Sequence, residues 1–177
     1  VCIRRANDIS QPGSFIPSPQ VGKHGSRRYG THHAEDAAHL FQTMNLDLNL
    51  FSSALKVNSQ YMHVLWFTLK VKEPISLTEV IEKLNANPYV AMTEKDMTST
   101  VFSFGRDQGY YGRILNQTVV AEQTLNVKND HEITGFCFTP QDGNSILSSI
   151  AATERFLFPH AYDDKIQCLA ELFYSEI

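Results

Sequence analysis

A chain of 177 residues, 42% hydrophobic and 19% charged, has the composition of an ordinary globular domain and is long enough to bury a core without disulfides. Its formal net charge of -4 excludes a surface built for general nucleic-acid binding. Cys2, Cys137 and Cys168 lie far apart with no CxxC spacing, which excludes a disulfide framework or zinc finger and suits a reducing cytoplasm; no apolar run reaches transmembrane length and no signal peptide is present.

Residues 1–8 read as a strand. Because no Met precedes Val1 and the β-run begins at once, the chain is expected to be a fragment of a longer protein. Residues 9–33, rich in Pro, Gly and Ser, read as a long loop, a feature that is usually functional or disordered. A 3.6-residue apolar stripe of Ala34, Ala37, Ala38, Phe41 and Met44 predicts a helix with Thr31 as its N-cap. Alternation at Leu46, Leu48 and Leu50 predicts a strand over 46–57. A second strand, over 60–72, places Tyr61, His63, Leu65, Phe67, Leu69 and Val71 on one face. Ser76-Leu77-Thr78-Glu79 is a capping box that opens a helix with Leu77, Val80, Ile81 and Leu84 inward. A short strand follows at 88–92. Residues 93–113 read as a broken helix or a loop around Gly105, Gly109 and Gly112. Residues 117–127 and 131–139 predict an antiparallel pair turning at Lys128-Asn129-Asp130. A helix is expected from about Asn144, with Ile146, Leu147, Ile150 and Ala151 inward, until Pro159 stops it. Ile166, Leu169, Ala170 and Phe173 then predict a last helix. This order predicts an α+β fold, a mixed and largely antiparallel sheet covered by helices on one face. No Walker sequence or glycine-rich βαβ loop is present.

Charge is distributed unevenly. Residues 1–33 hold five Lys and Arg (Arg4, Arg5, Lys23, Arg27, Arg28) against one acid, Asp8. With totals of 15 and 19, the remainder holds 10 bases against 18 acids. A cationic segment in an acidic chain points to an anion held locally, most simply a phosphate. Arginine forks bind phosphate oxygens bidentately, and a helix start adds unpaired N–H groups. Arg4, Arg5, Arg27, Arg28, His32 and His33 are therefore the candidate anion ligands. The plainer alternative is ordinary salt bridges, solvated loop charges and a histidine pair that only caps the helix. A third reading, a small metal hydrolase using the histidines, lacks any HExxH or facial-triad spacing. His63 is a candidate general base, because imidazole titrates near neutrality; the alternative is a satisfied histidine on an apolar strand face. None of the cysteines stands in a nucleophile-like turn, and Cys137 between Phe136 and Phe138 reads as core packing.

Ile3-Arg4-Arg5-Ala6-Asn7-Asp8, the Pro-containing loop, His32-His33-Ala34-Glu35-Asp36 and Tyr61-Met62-His63 follow one another as in a known family. Residues 1 to about 155 resemble the C-terminal catalytic domain of archaeal-type (type II) glyceraldehyde-3-phosphate dehydrogenase, most specifically through residue 72. The resemblance implies an NAD- or NADP-dependent glycolytic oxidoreductase of the cytoplasm whose upstream Rossmann domain binds the nucleotide. In that family a cysteine attacks the aldehyde, a histidine draws off the thiol proton, hydride leaves for the nicotinamide, and phosphate cleaves the thioester. His63 matches the base; Arg4, Arg5, His32 and His33 match positions around the phosphates. The family's nucleophilic cysteine lies upstream of the double-arginine strand, so residues 1–177 are expected to be a catalytic domain that is inactive alone. Two departures are visible: the additional Arg27-Arg28, and Thr139-Pro140-Gln141-Asp142 where the family has a His-Gln-Glu-Ser stretch. The expected partners are a phosphorylated small molecule, inorganic phosphate and further copies of the chain in a homo-oligomer, with no nucleic acid, membrane or metal. The alternative is a non-enzymatic domain, in a divergent paralogue, that binds a phosphometabolite or serves oligomerisation.

Overall fold

The computed structural model describes residues 1–6, 12–22, 25–59, 61–108 and 116–177, the last without the side chains of 141–145. The chain divides into two units, Val1–Gln60 and Tyr61–Ile177.

In the first unit the centre is β5 (Ala54–Lys56). It runs parallel to β1 (Cys2–Arg4) and antiparallel to β2 (Gln20–Val21). The strand expected over 1–8 is thus three residues long among the described ones; 7 and 8 lie outside them. The expected loop over 9–33 carries β2 and a small hairpin of β3 (Gly25–Ser26) and β4 (Gly30–Thr31). The strand expected over 46–57 contracts to β5. Leu46 and Leu48 are exposed, and the Leu50 N–H donates to the Leu48 carbonyl (2.9 Å), a tight turn in place of a ladder bond. Alternation alone cannot form a strand without a partner edge. Helix α1 (His32–Gln42) begins two residues before the apolar stripe. Thr31 is the N-cap as expected, its Oγ1 accepting from the Ala34 N–H at 3.4 Å. Ala34 and Ala38 are buried with Tyr29, whereas Met44 lies beyond the helix end and is exposed.

The second unit is a four-stranded sheet in the order β6 (His63–Lys70), β9 (Glu132–Thr139), β8 (Thr118–Lys128), β7 (Val90–Thr93). β7 and β8 are parallel and the other pairs antiparallel, so the α+β class with a mixed, largely antiparallel sheet is observed. Met62, Val64, Val119, Ala121 and Phe138 pack with Val101, Phe102 and Phe104 of α3 (Thr98–Gln108). The alternate residues Leu65, Phe67, Met92, Val120 and Cys137 pack with Ile81 and Leu84 of α2 (Leu77–Asn85). Because strand side chains alternate, α2 and α3 cover opposite faces, so the helices do not lie on one face of the sheet as the sequence led us to expect. The Ser76–Glu79 capping box forms, with Glu79 Oε2 accepting from the Ser76 N–H at 2.8 Å, though Leu77 at its start is exposed. Those backbone and hydroxyl hydrogen bonds hold the Glu79 carboxyl below its usual range. Of the ambiguous stretch 93–113, residues 98–108 are helical; Gly109 and Gly112 lie outside the described residues. The β8–β9 turn has Asn129 and Asp130 at φ 52° and 56°, left-handed values that Asn and Asp tolerate.

Helix α4 (Gln141–Leu157) starts three residues earlier than expected, and Ile146 points outward while Leu147 is buried. Its packing partners are Ile166 and Leu169, on a 3-10 run (Ile166–Leu172) that follows the short α5 (Tyr162–Lys165). The last helix expected from the sequence is therefore a 3-10 segment, with Ala170 exposed. Gln117 anchors the tail. Its fully buried Nε2 donates to the carbonyls of Pro88 (3.0 Å) and Tyr174 (2.7 Å), and its Oε1 accepts from the Tyr174 N–H (2.8 Å). Gln117→Leu keeps the volume but strands these backbone groups. It is expected to cost about 2 kcal/mol in denaturant unfolding. An unchanged midpoint would mean that water replaces the amide without loss. Among the described residues, no helix is long and apolar enough to cross a membrane.

Candidate functional site

The first unit holds a cavity of about 430 Å³ whose lining includes Arg4, Gln20, Gly22, Gly30, Thr31 and Lys56. The strands bring the three long polar residues together. In register, Arg4 of β1 stands beside Lys56 of β5, and Gln20 of β2 stands on the other side of Lys56. Residues paired in register share a face, so the three form one row across the sheet. Lys56 is only 7% exposed. The sequence reading missed it; the available signal was a lone cation between Leu55 and Val57 in a β-prone run.

The six anion-ligand candidates separate into four places within this unit. Arg4 lines the cavity. Arg5, the next residue, lies past the end of β1, and its Nη1 donates to the Ala6 carbonyl at 3.0 Å. Arg27 and Arg28 are exposed in the turn of the β3–β4 hairpin, with the Arg28 guanidinium 5.1 Å from the Tyr29 ring centroid. His32 and His33 form the first two positions of α1, their ring centroids 4.0 Å apart. Thr31 joins the cavity to the helix: it lines the first and caps the second. Its Oγ1 also hydrogen-bonds Ser52 Oγ. Arg4 and Thr31 therefore share the cavity wall, whereas Arg5, Arg27, Arg28, His32 and His33 are not among its lining residues.

His63 belongs to the second unit. It opens β6, in register with Thr139 of β9, and is half-buried on the face that carries Leu65 and Phe67. Cys137 shares that face but is in register with Leu65 and buried in the core with Met92, Val120 and Leu125, so it packs as its flanking phenylalanines suggest. Burial pushes the Cys2 thiol above its usual value, against the lowering pull of Arg4 and the Val1 amino group. A raised thiol is a poorer source of thiolate.

Among the described residues there is no group of three His, Cys, Asp or Glu side chains that could hold a metal. The parallel crossover β7–α3–β8 is the one strand–helix–strand unit of the second sheet, among the described residues, that has the geometry of a dinucleotide loop. Its strand-to-helix link is Glu94-Lys95-Asp96-Met97, which has no glycine for close approach of a pyrophosphate and two acids that repel one. These residues do not fit a bound NAD or NADP.

No model of a known protein family matches the chain. The chain is similar to glyceraldehyde-3-phosphate dehydrogenase of Methanobacterium bryantii, 27% identical over 136 residues that cover 72% of this chain and 37% of that protein. The chain thus spans well under half the length of the relative it matches, and what the comparison supports is a likeness to glyceraldehyde-3-phosphate dehydrogenases at family level.

Proposed function

We propose that this chain is the C-terminal catalytic domain of an archaeal-type phosphorylating aldehyde dehydrogenase of the glyceraldehyde-3-phosphate kind, acting within a longer cytoplasmic protein. The likeness over 136 residues to a glyceraldehyde-3-phosphate dehydrogenase carries this reading. NAD or NADP, which supplies the hydride acceptor when bound, belongs to a nucleotide-binding domain of that longer protein. The nucleophilic cysteine comes from there too, so this chain alone is inactive. Arg4, Arg5, Arg27, Arg28, His32 and His33 receive the phosphate groups of a phosphorylated aldehyde and of inorganic phosphate. Guanidinium groups stay charged and match phosphate oxygens in pairs, and the first turn of α1 offers N–H groups to the same anion. His63 accepts the thiol proton, as a half-buried imidazole at a strand start can. The assembly is a homo-oligomer without nucleic-acid or membrane partners.

Inorganic phosphate tests the anion cradle directly. At ten times its dissociation constant, phosphate is expected to stabilise the unit that binds it by about 1.4 kcal/mol. For a chain of this size that corresponds to roughly 3–5 °C in Tm. The same ionic strength supplied as chloride is the control. An equal response to both salts would remove the phosphate site. Aldehyde-dependent reduction of NAD or NADP by the longer protein tests the reaction itself. Phosphate binding without that reduction would favour a phosphometabolite-binding domain.

A further inference from the structure

We infer that Tyr61 is a positioning residue for His63: its left-handed backbone turns the tyrosine ring off the strand face that carries the imidazole and vacates the position ahead of His63 for a reacting partner. The role rests on the reading of His63 as proton acceptor given above, and it adds a residue that controls access to that imidazole.

Three observations carry it. The first is backbone conformation. Among the described residues, the non-glycine positions with positive φ are Asn45, Tyr61, Asn129 and Asp130, at 58°, 75°, 52° and 56°. Asn and Asp tolerate this region because their short polar side chains bond locally; a tyrosine has no such means, and holding one there costs free energy. Strain of this kind persists only where the surroundings over-determine it, and it collects at functional sites. The second is the direction of the side chain. Alternation along 60–72 places Tyr61 on the face of His63, two strand steps or about 7 Å ahead of it. The structure places it on the other face. Its ring centroid lies 5.0 Å from that of Phe102, with the rings tilted by 44°. Phe102 packs with Met62, Val101 and Phe138 on the α3 side of the sheet, whereas His63 stays on the α2 side with Leu65 and Phe67. The third is anchoring. Met62, the next residue, is 1% exposed within the core, and α3 carries the ring that Tyr61 rests on. Both contacts hold Tyr61 in its strained form, and the tilted aromatic pair offsets part of the cost. An extended tyrosine would instead lie along the face that His63 opens, where its in-register neighbour is the smaller Thr139.

The test is acylation of the 177-residue chain and its variants by diethyl pyrocarbonate, read at each histidine by peptide mass spectrometry, with the exposed His131 and His160 as internal references. The reagent attacks an unprotonated imidazole nitrogen, so it reports the access on which proton transfer depends. Tyr61→Val disfavours the left-handed backbone and returns an apolar side chain to the His63 face. It is expected to slow His63 roughly tenfold, equal to about 1.4 kcal/mol of preference for the extended form, with His131 and His160 unchanged. Tyr61→Gly and Tyr61→Asn accept the left-handed backbone and are expected to restore the parent rate at His63. A merely structural tyrosine predicts the opposite sign: loosened variants expose every histidine, and all rates rise together. Parent-like acylation in Tyr61→Val, or slowing in Tyr61→Gly as deep as in Tyr61→Val, overturns the positioning role. Should Tyr61→Val fail to fold, nuclear Overhauser contacts in the parent decide: contacts from the Tyr61 ring to Phe102 support the role, and contacts to the His63 ring overturn it. Turnover of the longer protein separates this role from the reading beneath it. Slowed acylation with parent-like turnover in Tyr61→Val keeps Tyr61 as the residue that positions His63 and removes His63 as the base.

Discussion

In the longer protein, His63→Asn is expected to lower turnover by roughly 10²- to 10⁴-fold, the usual contribution of a positioned general base. Asparagine keeps a polar side chain of similar length but cannot take up a proton. His63 opens β6 and is held in register with Thr139, so its backbone is fixed by the sheet whichever side chain it carries. The loss should therefore appear in kcat, with cofactor affinity unchanged and the unfolding midpoint close to the parent's. Parent-like turnover would take His63 out of the mechanism and leave it a histidine packed at a strand start. A joint loss of turnover and stability would assign it a structural role instead.

Gly30→Ala is expected to cost about 3 kcal/mol or more, concentrated in the first unit. Gly30 has φ +79°, a conformation that L side chains rarely adopt. A Cβ there would lie 2.0 Å from the Ser52 carbonyl oxygen and 2.8 Å from Phe51 Cζ. The phenyl ring can turn aside, but the carbonyl is fixed to the backbone. The Ser52 N–H donates to the Tyr29 carbonyl at 2.9 Å, and Ser52 Oγ bonds the Thr31 hydroxyl that caps α1. Relief of the clash must break one of these ties and loosen the start of α1. Hydrogen exchange should accelerate in residues 25–59 and stay slow in β8 and β9, and phosphate binding should weaken alongside. Uniform exchange with the parent's Tm would show that the 51–52 segment does not approach Gly30 as described.

The elements legible in the sequence were those whose local signals agreed. The Ser76–Glu79 box, the Thr31 cap, the Asn129-Asp130 turn and the β8–β9 pair each rest on side chains acting within a few residues of one another. The errors arose where a partner decided the outcome. Leu46, Leu48 and Leu50 alternate like a strand, yet no strand forms over 46–50 because no edge pairs with it there. Ile146 fits the helical stripe but faces outward, since α4 packs through Leu147 and Ile150 against Ile166 and Leu169. The Pro- and Gly-rich segment did not reveal that β2 joins β5, because a two-residue strand has no periodicity to read.

Charge composition and motif order named Arg4, the helix start at Thr31 and His63 as candidates, since such a choice depends on residue types in sequence and not on distance. Which cations share a cavity was decided only by the tertiary structure. Arg4 and Arg5 are adjacent in the chain yet separate, one on β1 and the other beyond its end, while Arg4 and Lys56, 52 positions apart, stand side by side. The physical reason is that strand pairing juxtaposes residues by hydrogen-bond register, and register between distant segments is fixed when the sheet forms, not by local propensity.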